Sequence, residues 1–447
     1  MSKFINIKSK IKKFDNIIEV PGDKSLSIRW LLFASLASGK SIATNLLLSE
    51  DVLAAADGLK KLGIKIKFLK NRCEVIGKGL NGYKFRPNLV LDAKNSGTFG
   101  RLILGLLVDA PNEIKLIGDK SLSKRDFKRI SDPLKKFGVN IKLNKDKTLP
   151  LLIKGSEKLK PINYLENKGS AQCKSAVMLA ALKTSGTTII KAKKSRNHTE
   201  LICKYLNLPV KIKNNKKFDL IIVKKAKKIP PFNYKIPSDI SSSAFFLVLT
   251  ALSKNSKLII KNVNINPSRV GVVTILKKMG VNINFLNKKK YKGELIADIY
   301  VESAKKIKPI NCPTNLNSGA IDEFLLIFLV AAKAEGVSTF KSLEELNQKE
   351  SPRLNWGSKI LSYMGVKNIL TSNSIKIFGD PALNVNNKIT IKNYLKDHRV
   401  FMASVIAALT FGGNWKINDK DSIKTSFPSF LKTINFLKND KKKKKYS

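Results

Sequence analysis

Cationic, hydroxyl and acidic residues recur in short clusters along this 447-residue chain. In order they are Lys24-Ser25 with Arg29, Asn95-Ser96-Gly97-Thr98 with Arg101, Arg125, and Ser170-Ala171-Gln172 with Lys174. Then come Ser195-Arg196-Asn197-His198-Thr199-Glu200, Asp239-Ile240-Ser241-Ser242, Asp322-Glu323, Lys349-Glu350-Ser351-Pro352-Arg353, Asp397-His398-Arg399 and Lys424. An Arg fork suits carboxylates and phosphates, and Lys supplies a point charge. Acids among such cations suit proton transfer. The set as a whole points to an anionic substrate. Each cluster alone has a plainer reading. Lys24-Ser25 reads as a solvated helix start. Asn95–Gly97 reads as a loop-to-helix turn with an N-cap. Ser195–Glu200 reads as a capping box. Lys349–Arg353 reads as a surface salt-bridge cluster, and Asp397 as a helix cap.

The elements that must position these residues repeat. Six strongly apolar segments, IRWLLFASLA, GRLILGLLVDA, KSAVMLAALKT, SAFFLVLTALS, DEFLLIFLVAA and RVFMASVIAAL, are each followed by a turn, near Gly39, Asn112, Gly186, Asn255, Gly336 and Gly413. The period is roughly 75 residues, which marks one supersecondary unit used repeatedly. Six of the clusters, at Lys24, Asn95, Ser170, Asp239, Asp322 and Asp397, stand at the heads of these segments. If the segments are helices, the clusters sit at N-termini, whose unpaired N–H groups and positive dipole favour anions.

A second echo accompanies the first: LKKLGIKIKF, LKKFGVNIKL, LKKMGVNINF and LSYMGVKNI. Each reads as the end of an amphipathic helix, a glycine cap at Gly63, Gly138, Gly280 or Gly365, then a strand. KYLNLPVKI is a degraded copy with Asn207 at the cap. Prolines cluster in KKIPPFNYKIP, residues 227–237, between the third and fourth units. The expected domains are 21–235, and 1–20 with 236–437, followed by a Lys-rich disordered tail at 438–447. A cleft between domains is the default place for an active site.

The formal charge of +51 could mark a nucleic-acid binder. Its Lys residues are scattered rather than clustered, and Lys, Ile and Asn are abundant together. That pattern fits compositional drift toward A/T-rich codons better than a binding face. A basic surface could still steer anionic metabolites. Four widely spaced cysteines, no CxxC pair and two histidines argue against zinc and for reduced thiols. No apolar run is long enough to span a bilayer, and MSKFINIKSKIKKF lacks a signal-peptide core. The expectation is a cytoplasmic monomer without metal or cofactor, contacting neither membrane nor nucleic acid.

Read in order, the clusters resemble the signatures of the enolpyruvyl transferase family. These are P-G-S-K-S-x-S-x-R, N-S/A-G-T-x-x-R, S-A-Q-x-K-S-A, S-R-D-H-T-E, G-D-x-S-S-A, I-D-E, K-E-S-D-R, D-H-R-x-x-M and K-S-F-P, spanning residues 21 to 428 here. The resemblance implies an α/β fold of two domains. Each would hold three βαβαββ-type repeats with buried helices and outward-facing sheets, an inside-out α/β barrel with the active site in the interdomain cleft. It also implies transfer of the enolpyruvyl group of phosphoenolpyruvate to the 5-hydroxyl of shikimate 3-phosphate, with release of phosphate.

By the same resemblance Lys24 contacts both substrates. Ser25, Arg29, Ser170, Ala171, Gln172 and Ser195 hold shikimate 3-phosphate. Asn95 and Gly97 admit phosphoenolpyruvate, and Arg125, Arg353 and Arg399 hold its anionic groups. Asp322 orients or deprotonates the attacking hydroxyl, Glu350 serves C3, and Lys349 tunes Glu350. Asp23 stands where the family has Ser. Lys424 lies one residue from the family position, which Thr425 occupies in register with Phe427-Pro428, yet is expected to serve phosphoenolpyruvate. The sister branch acting on UDP-N-acetylglucosamine fits less well, because no Cys lies between Cys73 and Cys173.

Overall fold

The computed structural model describes residues 3–215 and 217–439. Its helices are α1 (Lys24–Ser35), α2 (Glu50–Lys61), α3 (Gly97–Leu106), α4 (Lys128–Lys136), α5 (Ala171–Ala181), α6 (His198–Tyr205), α7 (Ile240–Leu252), α8 (Gly271–Lys278), α9 (Asn317–Ala320), α10 (Phe324–Ala332), α11 (Arg353–Tyr363), α12 (His398–Phe411) and α13 (Phe430–Lys438). Two compact units result. One is Gly22–Ile236 with Lys290–Glu294; the other is built from the described residues of Met1–Pro21, Pro237–Lys289 and Leu295–Ser447. Lys438, where the tail was expected to begin, is the last residue of α13. Residues 440–447 lie outside the described residues.

In the first unit α1, α3 and α5 carry the apolar repeats and are buried nearly all round. A helix apolar on every side has no face to offer water and must become core. Gly105 lets two of them approach closely. A Cβ there would lie 2.2 Å from the Ala176 carbonyl oxygen. The outer helices α2 and α4 end in Lys60-Lys61 and Lys135-Lys136, which complement the negative dipole end. Gly63 and Gly138 follow with φ of +86° and +96°, and Asn207 after α6 has φ +51°. The glycine caps and the degraded copy therefore form where the sequence places them.

Three sheets complete this unit, all with one spatial arrangement of strands. In the second of them, Leu89–Asp92 pairs parallel with Ile114–Ile117, which pairs antiparallel with Leu151–Lys154, whose other neighbour is Asn140–Leu143. Asn163–Glu166, Thr187–Lys193, Phe218–Lys224 and Val210–Asn214 repeat the scheme. So do Asn233–Lys235, Ser38–Thr44, Arg72–Lys78 and Lys65–Leu69. Alternating burial, as in Thr187–Lys193, puts one sheet face on the helices and leaves the other exposed.

The other unit repeats the plan with α7, α10 and α12 as buried helices. Asp15–Ile18 is the parallel partner of Lys257–Asn264, which pairs antiparallel with Glu294–Glu302. Gly336–Phe340 pairs antiparallel with Ile375–Gly379, and among the described residues its parallel partner is reduced to one bridge, Asn311 to Thr339. Phe4–Ile7 pairs antiparallel with Asn414–Asn418, which pairs parallel with Lys388–Ile391. The expected α/β class of helix-buried, sheet-outward repeats is thus the fold observed. Among the described residues no single helix is long and apolar enough to cross a membrane.

Candidate active site

In the first unit, the Asp23 carboxylate accepts the Leu26 N–H at 2.8 Å and caps α1. An acid in place of the family Ser does the same capping work. Lys24 opens the helix, and its Nζ lies 2.8 Å from Asp51 Oδ2. Half-buried Ser25 accepts through its carbonyl from Arg29 Nη1 at 3.2 Å. Arg29 is buried and donates Nε to Thr199 Oγ1 at 2.9 Å and Nη2 to Ser175 Oγ at 3.2 Å. Those two hydroxyls are 2.7 Å apart. Arg29 is therefore aimed by groups on α5 and α6.

The capping box expected at Ser195–Glu200 does not form. Helix α6 starts at His198, and its N-cap Asn197 makes no side-chain cap bond. Thr199 and Glu200 turn inward instead, Thr199 to Arg29 and Glu200 to Lys174 Nζ at 2.5 Å. Leaving two buried cations unpaired would cost several kcal/mol or more, whereas a cap contributes only about 1 kcal/mol. Ser195 Oγ is buried and makes no hydrogen bond among the described residues.

Ser96 caps α3, with Oγ accepting the Phe99 N–H at 3.4 Å. Asn95 Nδ2 donates to Asp119 Oδ2 at 2.7 Å. Gly97 begins the helix beside a guanidinium: a Cβ there would stand 3.0 Å from Arg125 Nη1. Ser170 caps α5 through the Cys173 N–H at 3.3 Å, and Ala171 opens that helix. Gln172 bridges the two starts. It accepts from Arg101 Nη1 at 2.6 Å and donates to Thr98 Oγ1 at 3.0 Å. Burial, and then the Arg125 charge, push the Arg101 guanidinium down to about 10.

The second unit gathers its predicted residues around Arg353. This side chain is 2% exposed, so the cluster is interior rather than the surface salt bridge of the plainer reading. Arg353 Nε donates to Asp397 Oδ2 at 2.8 Å and Nη2 to Asp397 Oδ1 at 3.2 Å. Nη1 reaches Asp322 Oδ1 at 3.4 Å, and Nη2 also donates to Glu350. Lys349 Nζ lies 3.5 Å from Asp322 Oδ1. Burial opposes the guanidinium charge, but Asp397, Glu350 and Asp322 outweigh it and hold its pKa above the ordinary value. Burial likewise opposes the Asp397 charge, and Arg353 overcomes it, leaving that carboxyl below the usual range. Asp397 also caps α12 through the Arg399 N–H at 2.9 Å and accepts from Ser351 Oγ at 2.8 Å.

Arg399 Nη1 donates to the Asp322 carbonyl at 2.7 Å and lies 3.5 Å from Glu323 Oε1. Lys424 stands apart. It is 58% exposed on the turn Lys420–Thr425, and among the described residues its ion pair is with Asp421 at 3.0 Å. Its neighbour Thr425 is half-buried, with Oγ1 3.1 Å from His398 Nδ1.

Sequence reading passed over Arg269. Arg269 Nη2 donates to Ser241 Oγ at 2.8 Å and Asp239 Oδ1 at 3.2 Å. Its signal was the Asn266-Pro267-Ser268-Arg269 turn before α8. There the Asn266 side chain accepts the Ser268 N–H at 2.9 Å, an Asx-turn.

The sequence profile of EPSP synthase (3-phosphoshikimate 1-carboxyvinyltransferase) matches residues 8–434. A 3-phosphoshikimate 1-carboxyvinyltransferase of Ruthia magnifica is 39% identical over 438 residues, covering 97% of this chain and 98% of that protein. One from Leuconostoc mesenteroides is 36% identical over 424 residues, covering 95% and 96%. The solved EPSP synthase of Acinetobacter baumannii aligns with a TM-score of 0.84 at 33% identity, over 97% of each chain. An enolpyruvyl transferase of Streptomyces tendae shares the fold at a TM-score of 0.75 and 13% identity, over 97% of each chain. Matched along nearly its whole length, the chain belongs to the EPSP synthase family.

Proposed function

We propose that this chain transfers the 1-carboxyvinyl group of phosphoenolpyruvate to the 5-hydroxyl of shikimate 3-phosphate and releases phosphate. The observation that carries the reading is the guanidinium of Arg353, which holds Asp322 and Glu350 within its own span, with Lys349 beside them. Asp322 takes the hydroxyl proton as that oxygen attacks C2, and Glu350 delivers a proton to C3. The tetrahedral intermediate then returns the C3 proton to Glu350 as the C2–O bond to phosphate breaks, and the departing phosphate takes up the proton held by Asp322. A group that both gives and takes a proton needs a pKa near the working pH. Lys349 and Arg353 favour the ionised form of Glu350, so local geometry must hold the proton it gives to C3.

Lys24, Ser25, Arg29, Ser170, Ala171, Gln172 and Ser195 bind shikimate 3-phosphate. The unbonded Ser195 hydroxyl supports its place in that set, because a buried hydroxyl needs a partner. Asn95, Gly97, Arg125, Arg353, Arg399 and Lys424 bind phosphoenolpyruvate. The chain works on these two small anions as a cytoplasmic monomer. The test is phosphate release with each substrate omitted in turn. Release that requires both substrates supports the reading. Release with UDP-N-acetylglucosamine in place of shikimate 3-phosphate overturns it.

A further inference from the structure

We infer that Glu323 is a positioning residue that aims Arg399 at the anionic substrate, and that Ser241 and Arg269 hold it in place. The inference rests on the assignment of Arg399 to phosphoenolpyruvate. It starts from a continuous polar chain through the interior of the second unit. Arg269, at the turn before α8, donates to the Ser241 hydroxyl oxygen at 2.8 Å. That leaves Ser241 its one O–H proton, which it gives to Glu323 Oε1 at 2.5 Å. The same carboxylate oxygen lies 3.5 Å from Arg399 Nη1, which donates at 2.7 Å to the carbonyl of Asp322.

Every link has a fixed sense: the Arg269 guanidinium donates to the hydroxyl, the hydroxyl donates to the carboxylate, and the Arg399 guanidinium faces that carboxylate as an ion pair. No link can be reversed, since Arg is donor only and an ionised carboxylate acceptor only. Such a chain rigidifies the groups it joins. Glu323, Ser241 and Arg269 are all buried, so the chain is not loosened by water. Asp239 anchors its far end by accepting from both Arg269 Nη2 and the Ser241 N–H. Without the Glu323 charge, Arg399 keeps its own charge and its backbone place at the start of α12 but loses the carboxylate that sets its side-chain direction. Substrate binding energy is lost with the aim, since misplacement of about 1 Å costs on the order of 100-fold in favourable cases.

The experiment measures both Michaelis constants and kcat for Glu323→Gln and Ser241→Ala. Glu323→Gln keeps the shape and removes the charge; Ser241→Ala removes only the hydroxyl link. The expected result is a phosphoenolpyruvate constant raised roughly 10-fold in Glu323→Gln and by a smaller factor in Ser241→Ala, on the scale of one charge-assisted contact. The shikimate 3-phosphate constant stays within about twofold, on the same scale of an untouched contact. A phosphoenolpyruvate constant that is unchanged or lower, or two constants that rise together, overturns the inference. If Glu323→Gln does not fold, the Ser241→Ala result decides by the same criterion. Failure of the underlying reading looks different: the unmodified chain itself would release no phosphate with both substrates present.

Discussion

Arg353 shows how much a single side chain can organise. A buried guanidinium serves three carboxylates, two of them the proposed base and acid. Glu350→Gln and Asp322→Asn are each expected to cut turnover by roughly 10² or more, the scale of a positioned acid or base. Shikimate 3-phosphate should still bind to Glu350→Gln, as read by tryptophan fluorescence or calorimetry. Near-normal turnover in either variant would falsify the proton-transfer assignment. Lys424 poses a different question. Its partner Asp421 is as exposed as itself, and such surface pairs contribute about 0–1 kcal/mol. The lysine can exchange that pair for a substrate anion at little cost. Lys424→Ala is expected to raise the phosphoenolpyruvate constant roughly 10-fold. An unchanged constant would make it a surface residue, with Thr425 the side chain that counts.

Among the elements, the contact of α3 with α5 makes a sharp demand. A Cβ at Gly105 would sit 2.2 Å from one backbone atom of Ala176 and 2.9 Å from another. In an open helix, Ala in place of Gly stabilises by about 1 kcal/mol. Here the overlap is with backbone, which cannot rotate away, and overpacking costs about 1–3 kcal/mol. Gly105→Ala is therefore expected to lower stability on balance, read as a reduced urea midpoint. A rise in the midpoint would mean that the helices part easily.

What could be read from sequence at this scale divides by range. The glycine caps at Gly63, Gly138, Gly280 and Gly365 and the Asp397 cap were legible because each is settled within a few residues. The start of α6 was misread because Arg29 lies far away in sequence and nothing near Ser195 announces it. The plainer reading of Lys349–Arg353 as a surface cluster fails for the same reason: the burial of Arg353 depends on Asp322 and Asp397, supplied by other repeats. The order of the motifs nevertheless placed the chain in its family, while the protein partners of the proposed site residues, supplied by other repeats, were not legible.

For the whole molecule, the buried charges set an acid limit. The Asp397 carboxyl is held below its ordinary value, so its unfolded-state pKa of about 3.9 is the higher of the two. Its contribution is present in full above the unfolded value and is lost as pH falls through the folded one. Urea midpoints should fall as pH drops from about 5 toward 3. Asp397→Asn, already weaker at neutral pH, should show a shallower fall. An equal slope in both proteins would remove Asp397 from the account. The large positive charge brings no comparable buried cost, since most of its Lys residues are exposed at the surface.

The pairing of Phe4–Ile7 with Asn414–Asn418 bears on how this protein is made. During translation, the Phe4–Ile7 segment leaves the ribosome long before the strand it pairs with exists. At typical elongation rates of about 5–20 residues per second, the delay is on the order of half a minute. Asp15–Ile18 also waits, for Lys257–Asn264, while all the residues of Gly22–Ile236 are synthesised between them. The stretch Gly22–Ile236, by contrast, carries every strand of its three sheets within itself. Nascent chains should therefore acquire protease resistance first in that stretch, with the flanking strands still unpaired. Any holding factor the cell supplies would have its task there, on two short waiting β-segments.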